Sequence, residues 1–142
     1  MIRRTWYAAA AWLWTLAIFV GTWLPGKHLP HPELERASFF RFIPLDKVAH
    51  LALFAGFAFL WSLARRTPQL PIKRILLFGF LVAVVTELGQ STPWVNRDAE
   101  INDVIADSIG LLLGLGFFAV LFAWISRSGT KEVPSPATSA TL

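Results

Sequence analysis

Four apolar runs, each about as long as a bilayer is thick, limit what this chain can become. They are Thr5–Leu24, Asp46–Ala64, Ile75–Thr92 and Asp103–Ile125. A helix needs roughly 20 apolar residues to cross the hydrocarbon layer. Lipid offers nothing to an unpaired N–H or C=O, so a spanning segment must satisfy its own backbone. Composition agrees: 55% of the 142 residues are hydrophobic and 15% charged, against about 25% charged in ordinary soluble domains. Mean hydropathy is +0.54. Seven Trp against one Tyr suit a chain with two membrane interfaces. The predicted fold class is all-α, an integral membrane four-helix bundle over residues 1–126. The tail, 127–142, is rich in Ser, Thr, Pro and Ala and is predicted to be disordered.

Arg3 and Arg4 precede the first run as they would in a signal peptide. That run is longer than a signal peptide's apolar core, and TWLPGK offers no small-x-small cleavage site, so it reads as a retained helix. Alternating spans place Arg3, Arg4, Arg65, Arg66, Lys73, Arg74, Arg127 and Lys131 on one side. Lys27, Arg36, Arg41, Lys47 and Arg97 fall on the other. The positive-inside bias then predicts both termini in the cytoplasm. The first outer loop carries Phe39, Phe40 and Phe42 as an interfacial anchor. His28 and His31 in the same loop, and Asp98 and Glu100 in the second outer loop, read as solvated. The formal charge of +4 is spread among apolar runs with no basic stripe, so no nucleic-acid partner is expected. The absence of Cys excludes disulfides, thiolate metal centres and Cys nucleophiles.

The polar residues of the spans gather at one depth. Asp46 and His50, and likewise Asp103 and Asp107, are four apart, and Glu87 and Gln90 are three apart. Each pair shares a helix face. In the predicted topology all lie at the outer ends of their helices, with Lys47 beside them and Arg97 in the adjoining loop. An acid at the centre of a spanning helix costs roughly 2.5–3.5 kcal/mol on insertion scales, and less near the interface. The acids therefore need partners, and Lys47, His50 and Arg97 are the basic candidates. Asp103 also reads as the N-cap of the fourth helix, and Gln90 as a hydrogen-bonder between helices. Below the polar residues, Gly110 and Gly114 continue the Asp107 face, and Gly79 and Ala83 lie behind Glu87. Such small-residue seams let backbones approach closely. The predicted ligand-binding set is Asp46, Lys47, His50, Glu87, Gln90, Arg97, Asp103 and Asp107.

The ordered pattern Asp46-Lys47-x-x-His50, Glu87-x-x-Gln90, Arg97, Asp103-x-x-x-Asp107-x-x-Gly110-x-x-x-Gly114 resembles the VanZ-like family of small bacterial membrane proteins. The resemblance covers about half the chain. It implies a multi-pass protein of the bacterial cytoplasmic membrane, in a family whose founding members are associated with low-level teicoplanin resistance. One position departs from the pattern: Asp107 stands where the family usually has Asn, which adds a negative charge.

Three functions remain open from the sequence. The first is binding of an envelope or lipid-linked anionic ligand, with Lys47 and Arg97 gripping phosphate or carboxylate and membrane lipid filling the grooves. The second is a membrane-embedded enzyme acting on a lipid or polyprenyl-phosphate substrate. His50 and Glu87 would exchange protons, with Asp103 or Asp107 orienting them. A metal form of it would use His50, Glu87 and an Asp, although no HExxH, nucleophile elbow or phosphate loop is present. The third is a structural component whose polar cluster only locks the bundle. No cofactor and no resident metal are assigned from the sequence.

Overall fold

A computed structural model describes residues 2–24, 45–64, 72–95 and 100–128. Four helices account for nearly all of these: α1 Ile2–Thr22, α2 Leu45–Ala64, α3 Ile72–Gln90 and α4 Ile101–Ser128. No strand occurs among the described residues. The predicted anchor Phe39, Phe40 and Phe42, the histidines His28 and His31, Arg97, Asp98 and residues 129–142 of the tail all lie outside the described residues.

Burial is inverted relative to a water-soluble bundle. Thr15, Thr22, His50, Ser62, Thr86, Glu87, Gln90, Asp103 and Asp107 are buried. Meanwhile Trp6, Leu13, Leu16, Leu77, Leu81, Leu88, Leu112, Leu113, Phe117 and Val120 are exposed. A continuous apolar exterior of this extent belongs against lipid. Three of the helices, α1, α2 and α4, are long and apolar enough to cross a membrane. The expectation that all four runs would qualify is thus met by three. In α3, Lys73, Arg74 and Glu87 fall within 19 residues, and those charges offset its apolar middle.

The helix ends are set by local chemistry. At the end of α3, the Ser91 hydroxyl donates to Leu88 O at 2.8 Å and the Thr92 hydroxyl to Gly89 O at 2.7 Å. The first satisfies a last-turn carbonyl left without an amide partner, and the second adds to the Thr92 N–H already on Gly89 O at 3.2 Å. Thr92–Val95 then closes a turn through Val95 N to Thr92 O at 3.2 Å, with Pro93 in the position its fixed φ favours. The helix therefore ends at Gln90 rather than at Thr92. The fourth helix starts two residues earlier than the sequence suggests and continues to Ser128.

Helix α2 is the centre of the molecule. Its buried residues His50, Phe54, Phe57, Ala58 and Trp61 recur at helical spacing. Phe57 and Trp61 meet Phe78 of α3 at 5.4 and 5.3 Å between ring centroids, and Trp12 of α1 stands edge-on to Trp61 at 5.1 Å. On its other side α2 runs parallel to α4. Lys47 meets Asp103, His50 meets Asp107, Gly110 lies on Leu51, Gly114 on Ala55, and Phe59 on Phe117. Glycine makes this contact possible. A Cβ on Gly110 would strike the carbonyl oxygen of Leu51, and one on Gly114 that of Ala55. Gly79 faces the Leu111 and Phe57 side chains, and Ala83 is fully buried. Helices α1 and α3 end where α2 and α4 begin, so all four chain ends of the polar face meet at one end of the bundle.

Candidate functional site

The N-terminal turns of α2 and α4 carry the charged residues to that common end. Lys47 stands at the rim, with its side chain 19% exposed. Its ammonium contacts Asp103, Glu100 at 2.7 Å and Asp46 at 3.7 Å. Beneath it, His50 and Asp107 form a buried pair, His50 Nδ1 to Asp107 Oδ1, at 2.9 Å. With Asp107 ionised, its carboxylate only accepts and Nδ1 is the donor. The other ring nitrogen, Nε2, faces Asp103 Oδ2 at 3.9 Å. These contacts recur at the spacing expected for neighbouring parallel helices, with residues 47 and 50 of α2 matched to 103 and 107 of α4.

Glu87 enters from α3. One carboxylate oxygen accepts the backbone N–H of Glu100, just before the first turn of α4. A negative charge there suits the positive end of the helix dipole. Glu87 lies within electrostatic range of Asp103, His50 and Asp107, so three helices contribute to one cluster. Its second oxygen, Oε2, is buried without a hydrogen-bond partner, as is Asp107 Oδ2.

Several residues take positions other than those the sequence suggests. Glu100, read as solvated, holds Lys47. The ion pair crosses from a loop to a helix start, and no helical periodicity reports such a contact. Asp103 lies in the first turn of α4, not at its cap; its own amide donates to Glu100 O at 2.9 Å, and its carboxylate serves Lys47. Gln90 does bond between helices, as the sequence suggests, donating through Nε2 to Thr22 O of α1 at 3.1 Å. Trp23 Nε1 donates to Thr86 O at 3.2 Å. These two bonds fasten α1 to α3 beside the cluster. Neither Thr22 nor Thr86 stands out in the sequence, because their acceptors are backbone carbonyls. Arg97 lies outside the described residues.

Among the described residues the cluster holds five carboxylates, Asp46, Glu87, Glu100, Asp103 and Asp107, against the ammonium of Lys47 and the imidazole of His50. Its floor is dry: Asp107 is 0% and Asp103 2% exposed. Its rim is open, with the Glu100 side chain 51% and the Asp46 side chain 33% exposed. Such an arrangement can bind a cation, exchange one carboxylate on Lys47 for another anion, or hold a proton on the buried imidazole.

Comparison with known proteins places the chain in a family. The VanZ/LLP1 family model covers residues 5–123, from the first helix through most of the fourth. No curated protein and no solved structure matches the chain. With the family model spanning all four helices and the whole of the charged end, the chain belongs to the VanZ/LLP1 family.

Proposed function

We propose that this protein lies in the bacterial inner membrane with both termini cytoplasmic. In this reading its charged end opens at the outer leaflet and binds the anionic head of an envelope lipid or lipid-linked intermediate. The observation that carries the reading is the gradient from rim to floor. Lys47 is held between a buried acid, Asp103, and a half-exposed one, Glu100. A phosphate or carboxylate arriving from the headgroup layer replaces Glu100 on the ammonium, while Asp103 keeps the lysine in place. Exchange of one exposed ion pair for another costs little, because exposed pairs contribute only about 0–1 kcal/mol. The apolar exterior of α1, α3 and α4 accepts the lipid chain.

The test is lipid retention in native mass spectrometry, comparing polyprenyl phosphate with a zwitterionic lipid. Lys47→Ala is expected to abolish the preference for the phosphate. Glu100→Gln removes the competing carboxylate and is expected to strengthen it several-fold. A protein that shows no preference, or a preference indifferent to both changes, rules the reading out. The association with teicoplanin resistance belongs to the same proposal. Raised expression of the wild-type chain, but not of Lys47→Ala, is expected to raise the teicoplanin concentration that stops growth.

The His50–Asp107 bond favours a second reading. A carboxylate that fixes the imidazole tautomer is the arrangement of a general base, here with Glu87 as the second proton carrier. Turnover of a lipid or polyprenyl-phosphate substrate that is lost in both Asp107→Leu and Glu87→Gln would support it. An inert wild-type protein would dismiss it.

A further inference from the structure

We propose that Asp46, His50 and Asp103 bind one divalent transition-metal ion of the Zn²⁺ or Mn²⁺ kind, with Asp107 as the positioning residue that orients the imidazole. This goes beyond the headgroup reading and does not depend on it. One ligand atom from each of the three residues can be chosen so that all lie within 4.8 Å of one another. The set joins two helices, since Asp46 and His50 come from α2 and Asp103 from α4.

Three features point to a cation. With Asp107 accepting the Nδ1–H of His50, Nε2 of a neutral ring is left as a lone pair. A metal-bound histidine is held in the same way, with its remote N–H on a carboxylate. The lone pair faces another acceptor, Asp103 Oδ2, at 3.9 Å. Two acceptors turned to each other in a dry site repel unless a positive species lies between them. The second feature is polar oxygen left over at the floor of the cluster. Asp107 Oδ2, on a fully buried side chain, and Glu87 Oε2 have no hydrogen-bond partner. The third is charge, since among the described residues the carboxylates of the cluster outnumber Lys47 and His50.

The donor set suits the ion. Imidazole nitrogen and carboxylate oxygen bind zinc at about 2.0–2.2 Å, so two ligands on opposite sides of one ion are at most about 4.4 Å apart. The Nε2–Oδ2 separation already satisfies that bound. One Asp46 ligand atom lies within 4.8 Å of those of His50 and Asp103, near that bound. Lys47 does not compete for the same atom. It contacts Asp103 through Oδ1 and leaves Oδ2, the oxygen toward His50, for the ion.

The experiment uses the full chain without an affinity tag, in phosphatidylcholine nanodiscs, stripped with chelator and titrated with Zn²⁺. The zwitterionic bilayer separates this result from any anionic-headgroup effect. One ion per chain is expected after gel filtration. His50→Gln and Asp46→Asn should each weaken binding by about tenfold or more, and Asp107→Leu by about 10–100-fold, the range typical of an outer-sphere partner. The double variant His28→Gln with His31→Gln removes the other two histidines of the chain and should leave binding unchanged. Zero stoichiometry in the wild type overturns the proposal and assigns the His50–Asp103 contact to a proton. Undiminished binding in His50→Gln, or loss in the loop-histidine variant, overturns it as well. If His50→Gln does not fold, Asp46→Asn at the rim and the wild-type stoichiometry still decide.

Discussion

Lys47 is the residue on which the polar end depends. Asp103 is buried, and its carboxylate has the lysine as its counter-charge. Lys47→Met strands that carboxylate and should cost about 2 kcal/mol, the usual scale for a hydrogen bond to a charged group. Adding Asp103→Leu removes the stranded charge and should recover part of the loss, because breaking half of a buried pair is worse than removing both halves. Thermal unfolding in detergent measures both. Equal losses in the single and double variants would show that Asp103 does not depend on Lys47. Asp107→Asn keeps an oxygen for His50 Nδ1 and removes a charge from a fully buried side chain, so it should unfold at the same temperature as wild type or higher. Much of this was legible beforehand. The four-residue spacings Asp46–His50 and Asp103–Asp107 put the right groups on two facing helices. What spacing could not reveal was Glu100, whose contact with Lys47 crosses from a loop to a helix, or that α1 is the helix to which Gln90 bonds.

At the scale of the element, the parallel contact between α2 and α4 is backbone against backbone. Leu51 O and Ala55 O occupy the space a side chain would take, and neither can move without shifting α2. Gly114→Ala should therefore destabilise by about 1–3 kcal/mol, the usual cost of overpacking. Gly116→Ala, two residues on, meets nothing within 4 Å and should be neutral or slightly stabilising, since Ala is the better helix former. A denaturant titration of the two variants separates tight packing from helix propensity. If both behave alike, the α2–α4 seam is looser than its geometry indicates. The small-residue spacing of Gly110 and Gly114 announced a close approach. It did not name the partner, because spacing along one helix carries no information about which neighbour it meets. The end of α3 was also misplaced, since side-chain caps from Ser91 and Thr92 close the helix before the proline does.

For the whole molecule, orientation is the first thing to measure. The chain has no Cys, so single cysteines report sidedness without background. Under the proposed topology, Glu100→Cys should react in intact cells with a maleimide that cannot cross the inner membrane. Ser128→Cys should react only after permeabilisation, and the reverse pattern would invert the topology. The parallel pairing of α2 with α4 also bears on how the chain is built. Helices enter the bilayer in the order in which they are synthesised, and α2 arrives well before the helix that carries Asp103 and Asp107. Until α4 follows, Lys47 and His50 lack those acids, and Glu87 lacks the amide of Glu100. The nascent three-helix stage thus exposes its costliest groups to lipid or to the insertion machinery. Ribosome-attached chains halted after α3 should accordingly remain bound to the insertion machinery, and chains that include residues 101–114 should be released from it.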